Sequence, residues 1–289
     1  MESEDKERTK DGGHAASVEP TPMEGDPRVD SPIEIKLPVR HNPVLSTVVE
    51  RVNADEELYG LWKAMNVNAV DRLGMTDHGP VHFQIVSNIA LRLLRLLIDR
   101  GVVPSVVKDH GMRNEEAEVI VVLGALLHDL GMSIQRADHE VFSLFVALPK
   151  IDKLLEGLYS PGPRAIIRSE TLHAIISHRS EGRPMTLEAG IVRVADALDM
   201  AKGRSRIPFE AGVVNIHSLS AAAIERIDIG PGQKKPVHID VFMNNSAGVF
   251  QLDELLKEKL HGSGLEAYIE VAAFIEGDIE KRLLDEYRL

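Results

Sequence analysis

The sequence contains no cysteine among its 289 residues, and this absence excludes several kinds of site. A disulfide scaffold, a zinc site built on thiolates and catalysis by a cysteine nucleophile all need the missing side chain. Disulfides are rare inside cells, so the composition agrees with a cytoplasmic location, which is our expectation. Aromatic residues are also scarce, at 4 %, and we expect the core to consist of aliphatic side chains.

Long apolar runs and excess positive charge are missing as well. No uninterrupted apolar run approaches the roughly 18 residues of a membrane-spanning helix, and the polar N-terminus lacks the apolar stretch of a signal peptide. We therefore expect no membrane partner. The chain has 33 Lys+Arg against 45 Asp+Glu, a net charge of -12. Because nucleic acid is bound by clustered basic residues, we expect no extended nucleic-acid surface.

The negative charge is unevenly distributed. Residues 1–32 contain nine acidic and four basic side chains and almost no large apolar residue. Such a segment cannot bury enough apolar surface to offset its loss of conformational entropy. We predict a disordered acidic tail over 1–32, a helical domain over 33–208 and a small α+β unit over 209–289.

The chain up to residue 208 has mostly helical periodicity. In the clearest segment, Pro80–Arg100, five apolar residues recur at helical spacing and are predicted to form its buried face: Val81, Ile85, Ile89, Leu93 and Leu96. Val119–Leu127 is apolar on every side, which places its helix in the middle of the domain. The predicted helices are Pro43–Val52, Asp55–Arg72, Pro80–Arg100, Glu115–Leu130, Ala137–Tyr159, Arg164–Ser177 and Leu187–Ala201.

The pattern changes after residue 208. Alternating segments predict strands at Glu225–Ile229, Val237–Phe242 and Glu266–Phe274, with helices at Asp253–Leu260 and Asp278–Tyr287. The predicted fold class is therefore mainly α, with an all-helical core and a smaller C-terminal α+β unit.

A histidine and an aspartate, His128 and Asp129, end the most apolar predicted helix. A buried carboxylate is costly unless it is paired or bound to a metal. Ordinary hydrogen bonds at a helix end are the alternative explanation. Gly131 follows directly and is interpreted as the residue that ends the helix, which would let both side chains enter a cleft.

Two further polar residues, His82 and Asp196, each lie within another apolar helix. A single histidine on an apolar face is more often a core residue than a ligand. Together with His128 and Asp129, however, they indicate four ligands that converge on a divalent cation.

The segments HFQIV, LLHDLG and RVADALD carry these four residues in order, and this pattern resembles the HD superfamily of metal-dependent phosphohydrolases. The resemblance spans about Thr76 to Asp199. It implies a helical domain with a metal at its centre, and hydrolysis of phosphate esters, often of nucleotides.

The resemblance also suggests a second ion. HD proteins with two metals commonly add histidines in the intervals that hold His139 and His178 in this chain. Two features depart from many members: Arg179 follows His178 where a second histidine is common, and Met132 replaces a lysine. The number of ions, one or two, stays open. Imidazole and carboxylate ligands without thiolate suit Mn, Mg, Fe, Ni or Co.

The implied mechanism is attack of a metal-bound hydroxide on phosphorus, with Asp129 and His128 as the catalytic residues. Asp77 is a candidate to orient a ligand imidazole. His173 lies about 140° from His178 around a helix and is interpreted as a packing residue. Since the guanidinium fork matches phosphate, we predict substrate contacts from Arg136, Arg179, Arg183 and Arg204.

Three functions compete at this point. The first is a phosphohydrolase acting on a small phosphorylated substrate, with a nucleotide as the favoured class. The second is a non-catalytic nucleotide sensor, in which residues 212–274 transmit a signal or form a homodimer. The third is a di-iron oxygenase. The complete ligand set favours the first.

Overall fold

The computed structural model describes residues 33–75, 78–179, 181–200 and 216–276. Ile33–Leu289 groups as one compact unit. Several predictions fall outside the described residues: the acidic tail over 1–32, Asp77, Arg204 and the helix Asp278–Tyr287. The boundary between a helical domain and an α+β unit near residue 208 stays a prediction.

Eight helices in residues 33–75, 78–179 and 181–200 form the helical body. They are α1 (Pro43–Asn53), α2 (Glu56–Asn66), α3 (Pro80–Asp99), α4 (Ser105–His110), α5 (Asn114–Leu127), α6 (His139–Leu154), α7 (Pro161–Ser177) and α8 (Leu187–Leu198). A π-helical turn, Val67–Arg72, continues α2, and a 3-10 turn, Leu130–Ser133, follows α5.

Local sequence explains several of these boundaries. The side chain of Asn42 accepts a hydrogen bond from the Leu45 amide at the start of α1, and Thr186 caps α8 in the same way. Proline stands at the first helical position of α1, α3 and α7, where its missing N–H is not needed. Helix α4 was not predicted, because its six residues are too few to establish a period.

Helix α5 lies at the centre, as predicted. Every residue of Val119–Leu127 is buried, and α3, α7 and α8 pack around it. Its apolar surface on all sides explains this position, because no face of the helix could be left in water.

The predicted buried face of α3 is wrong in part. Val81 and Ile85 are 43 % and 37 % exposed, whereas His82, Phe83 and Val86 point into the core. The buried residues Phe83, Val86, Ala90, Leu94 and Leu97 recur at helical spacing as well, and packing of α3 on α5 and α8 buries this stripe. This stripe lies on the side with His82.

Among the described residues, one helix is long and apolar enough to cross a membrane by composition alone. It is α3, with 20 residues and a mean hydropathy of 1.4. Half of the apolar window is buried against other helices, which is typical of a core helix.

The C-terminal part begins with α9 (Ile216–Ala223), which was not predicted, and continues through β1 (Ile224–Pro231) and β2 (Val237–Met243). A helical segment that we call α10 joins Ser246–Gly248, Val249–Gln251, Leu252–Lys257 and Glu258–Leu260, before β3 (Ile269–Ile275). The sheet order is β1-β2-β3, with β1 antiparallel and β3 parallel to β2. The mainly α fold with a small C-terminal sheet is thus confirmed.

Candidate metal centre

The ends of five helices meet at one place inside the helical body. They bring together the six predicted ligands: His82 in the first turn of α3, His128 and Asp129 directly after α5, His139 at the start of α6, His178 directly after α7, and Asp196 in the last turn of α8. All four imidazoles and Asp129 are buried. Asp196 keeps 17 % of its side chain exposed.

Three side chains form a first cluster. The Nε2 atoms of His82 and His128 lie 3.3 Å apart, and Asp196 Oδ1 lies 3.5 Å and 3.6 Å from them. Ligands bound at about 2.1 Å and at right angles around one ion lie about 3 Å apart. The cluster therefore has the spacing of a metal site.

Asp129 connects this cluster to a second one. Its Oδ2 atom lies 3.5 Å from His128 Nε2, in the first cluster. Its Oδ1 atom lies 3.0 Å from His139 Nε2 and 3.4 Å from His178 Nε2. The two oxygens of one carboxylate thus face two groups of imidazoles, the arrangement expected of a ligand shared by two ions.

The other ring nitrogen of each histidine has a hydrogen-bond acceptor. His82 Nδ1 lies 2.6 Å from Asp199 Oδ2. The Nδ1 atoms of His128, His139 and His178 lie 2.9, 3.0 and 2.6 Å from the carbonyl oxygens of Ala125, Arg136 and Ile175. At His82, His128 and His178 these acceptors favour the tautomer that carries its proton on Nδ1, so that Nε2 can present a lone pair to a metal. At His139 the guanidinium of Arg136 also lies near Nδ1.

The loop after Asp129 approaches α6 closely. A Cβ atom on Gly131 would lie 2.0 Å from the carbonyl oxygen of His139 and 2.6 Å from the amide nitrogen of Ser143. Only glycine permits this contact, which brings Asp129 next to His139. Gly131 was predicted to end α5, but its requirement in the structure is this close approach.

The electrostatics of the site favour ionised carboxylates. Without a bound cation, burial would raise the pKa of Asp129, but the charge of His128 and hydrogen bonds from His139 and His178 outweigh it, and the pKa lies well below the usual value. Burial likewise opposes a low pKa for Asp196, and the nearby charge of Lys259 is the main factor that lowers it. Burial lowers the pKa of His178, which favours the neutral imidazole that a metal binds.

The donor set fits a divalent cation. Four imidazole nitrogens and three carboxylate oxygens face a common interior, and His82–His128–Asp196 and His128–Asp129–His178 each present donor atoms within 4.8 Å of one another. Glu140 joins His139 and His178 in a third such group. Nitrogen and oxygen donors without sulfur agree with the predicted ions.

Sequence reasoning missed three side chains at this site. Asp199, the residue that orients His82, lies at the end of RVADALD, but nothing in the sequence pairs it with a residue 117 positions earlier. Glu140 follows His139 directly, and its signal is the adjacency alone. Lys259 belongs to α10, and its Nζ atom lies 3.2 Å from Asp196 Oδ2.

The predicted substrate arginines differ in position. Arg136 Nη1 lies 2.8 Å from His139 Nδ1, so this guanidinium borders the second cluster. Arg179 is partly exposed and pairs with Glu181 at 3.5 Å, and Arg183 is exposed. His173 accepts a hydrogen bond from the Met185 amide, in agreement with a packing role.

Comparisons with known proteins agree with this geometry. The profile of the HD domain family matches residues 82–201, the range from the first predicted ligand to just beyond the last. A protein of Methanocaldococcus jannaschii, described as uncharacterized protein MJ1020, is 44 % identical over 214 residues, which cover 74 % of this chain and 83 % of the relative. No solved structure matches. The chain therefore belongs to the HD domain family, within the superfamily of metal-dependent phosphohydrolases.

Proposed function

We propose that this protein is a metal-dependent phosphohydrolase that hydrolyses a phosphate ester or phosphodiester, with a nucleotide as the favoured substrate class. The observation that carries the proposal is the position of Asp129, whose two oxygens face His128 on one side and His139 and His178 on the other.

In this proposal His82, His128 and Asp196 would hold one ion, His139 and His178 would hold a second, and Asp129 would be available to both groups. When bound, a divalent cation supplies positive charge for the phosphate and lowers the pKa of water, so that a nucleophile forms near neutral pH. The Nε2 atoms of His82, His128 and His178 would be available to a cation, because Asp199 and backbone carbonyls accept hydrogen bonds from Nδ1.

Asp129 has a further task in the proposal. Its carboxylate stays ionised because its pKa is lowered, and it is held by His139 and His178. In this state it can only accept hydrogen bonds. We therefore propose that Asp129 orients the attacking water. The His128 imidazole would hold Asp129 in place on the side of the first cluster.

Substrate binding requires cations, since the carboxylates of this site repel a phosphate. Arg136 borders the second cluster and is the predicted arginine that we place on the phosphate. Arg179 and Arg183 are proposed to contact the part of the substrate that extends into solvent. Arg204 is proposed to contribute from the segment after α8.

A substrate screen tests this function. The purified protein is incubated with phosphorylated metabolites, nucleotides and cyclic nucleotides in the presence of Mn, Mg, Fe, Ni or Co, and released phosphate and mononucleotide are measured. We expect metal-dependent release from a nucleotide. Equilibrium binding of a nucleotide with no product after long incubation would instead support the sensor function. Oxygen consumption by an iron-containing preparation would support the oxygenase.

A further inference from the structure

The C-terminal part of the chain reaches the metal centre through one side chain. Lys259, in the last turn of α10, directs its Nζ atom to Asp196 Oδ2 at 3.2 Å and to the carbonyl oxygen of His178. It therefore contacts one ligand from each cluster. Only 12 % of the side chain is exposed, so the ammonium group is held inside the site and not in bulk water.

The backbone around Lys259 is held by α8, the helix that carries Asp196. The buried guanidinium of Arg193 donates hydrogen bonds to the carbonyl oxygens of Lys259 at 2.8 Å and Glu258 at 3.2 Å. It also donates to Gly182 at 2.7 Å and to Arg179, in the loop after His178. Arg193 thus joins the end of α10 to the second cluster.

A second contact shows that α8 packs closely against the residues that follow α10. A Cβ atom on Gly190 would lie 2.2 Å from the carbonyl oxygen of Ser263, so the two backbones meet without an intervening side chain. The position of Lys259 therefore follows from backbone packing on α8. A lysine on an exposed surface would not be held in one position in this way.

The hydrogen bonds of Lys259 leave capacity for a ligand. A protonated lysine has three N–H donors, and the described residues provide two acceptors, Asp196 and the His178 carbonyl. Asp196, which Lys259 contacts, is acidic, and Asp129 belongs to the same site. An anionic substrate at this place needs a cation, and a lysine ammonium serves phosphate as a compact point charge.

We propose that Lys259 binds a phosphoryl oxygen of the substrate, using the N–H that Asp196 and the His178 carbonyl leave available. This inference rests on the proposed phosphohydrolase function and adds a residue that lies beyond the matched HD range of 82–201. It assigns a role to the C-terminal part: α10 completes the substrate site of the helical body.

The test measures binding of orthophosphate to the Mn²⁺-loaded full-length protein by calorimetry, together with Mn²⁺ affinity. We expect Lys259→Met to weaken orthophosphate binding about 10-fold to 100-fold, the effect of losing one hydrogen bond from a charged donor. Mn²⁺ affinity should not fall, because the variant removes a cation. Lys259→Arg, which keeps the charge, should recover most of the loss. On a substrate from the screen, Lys259→Met should raise KM by a similar factor.

Lys257→Met is the matched control. Lys257 lies two residues earlier in α10, is exposed and pairs with Asp253, so its loss should leave orthophosphate binding unchanged. Orthophosphate affinity of Lys259→Met equal to that of the wild type would overturn the inference. So would an equal loss of Mn²⁺ affinity, which would mean that Lys259 acts only by positioning Asp196.

Two further outcomes are decisive. If Lys259→Met does not fold, Lys259→Gln replaces it, and failure of both neutral variants to fold would show that the lysine serves the fold and would contradict the inference. A wild type that binds neither Mn²⁺ nor orthophosphate would overturn the proposed function and this inference together. A wild type that binds both, with an unaffected Lys259→Met, would overturn the inference alone.

Discussion

His82 Nδ1 lies 2.6 Å from Asp199 Oδ2, which joins the first turn of α3 to the residue that ends α8. Both side chains are buried, and the contact holds the imidazole with Nε2 directed at His128 and Asp196. Carboxylates in this position fix the tautomer of a ligand histidine and increase its basicity. Asp199 should therefore matter to metal binding without contacting the metal.

Asp199→Ala should lower the affinity for Mn²⁺ by about 10-fold to 100-fold, the usual cost of removing such a partner. Calorimetric titration of the metal-free protein measures it. Asp152→Ala is the control, because Asp152 lies at the opposite end of α6 from His139 and forms a partly exposed ion pair with Arg168. Equal Mn²⁺ affinity in the two variants would show that His82 does not need Asp199.

The two clusters predict two ions that can be lost separately. His82→Ala removes a ligand of the first cluster and His178→Ala one of the second, so each should bind about one ion fewer than the wild type. Asp129→Ala should lose both, because its oxygens face both clusters. Metal analysis of dialysed protein gives the stoichiometry. A single ion in the wild type, lost equally in all three variants, would favour one shared site.

The helical core could be predicted from the sequence, and so could the six candidate ligands that the structure brings together. His82, His128 and Asp196 are polar residues within apolar helices, and that local contrast is visible in a sequence. His139 and His178 came from the resemblance to HD proteins and not from periodicity.

Other parts of the site depend on contacts between distant residues. Asp199 and Lys259 are recognised only once α8 is packed against α3 and α10, because nothing near them in the sequence marks a partner. The buried face of α3 was assigned wrongly for the same reason. Helix α3 has two neighbouring stripes of apolar residues at helical spacing, and the sequence alone does not show which stripe is more deeply buried.

Gly131→Ala should destabilise the protein by about 1–3 kcal/mol, since the added methyl group would meet backbone atoms of His139 and Ser143. Urea denaturation measures the change in the free energy of unfolding. The control is Gly60→Ala in α2, where the new Cβ would meet no side chain or other element within 4 Å and alanine should stabilise the helix by about 0.5–1 kcal/mol. Equal stability of the two variants would contradict the close approach at Gly131.

A buried ion pair outside the metal centre predicts a pH dependence of stability. Lys150 Nζ lies 2.9 Å from Asp55 Oδ1. Burial would raise the pKa of Asp55, but hydrogen bonds from Lys150 and from the Leu58 amide outweigh it and hold the pKa below 3.8. The folded state therefore gains stability from this carboxylate above the unfolded pKa, and loses it as the pH falls through the folded pKa.

Asp55→Asn should cost about 1–3 kcal/mol at pH 7, because it removes the buried charged partner of Lys150 and leaves only the exposed carboxylate of Glu57 beside the ammonium group. The difference from the wild type should shrink as the pH falls below about 4. Glu57→Gln is the control: Glu57 also contacts Lys150 but is exposed, so we expect a loss of at most about 1 kcal/mol. Urea denaturation between pH 3 and pH 7 measures the free energy of unfolding of both variants. A difference between Asp55→Asn and the wild type that does not change with pH would contradict this role of Asp55.

The central claim is that Asp129 joins two metal clusters into one hydrolytic site. Metal content and turnover of a generic phosphodiester and phosphomonoester, compared between wild type, Asp129→Ala and the Asp152→Ala control, test it most directly. We expect the wild type and the control to bind metal and release product, and Asp129→Ala to lose both properties while remaining folded. Undiminished metal binding and turnover in Asp129→Ala would contradict the account.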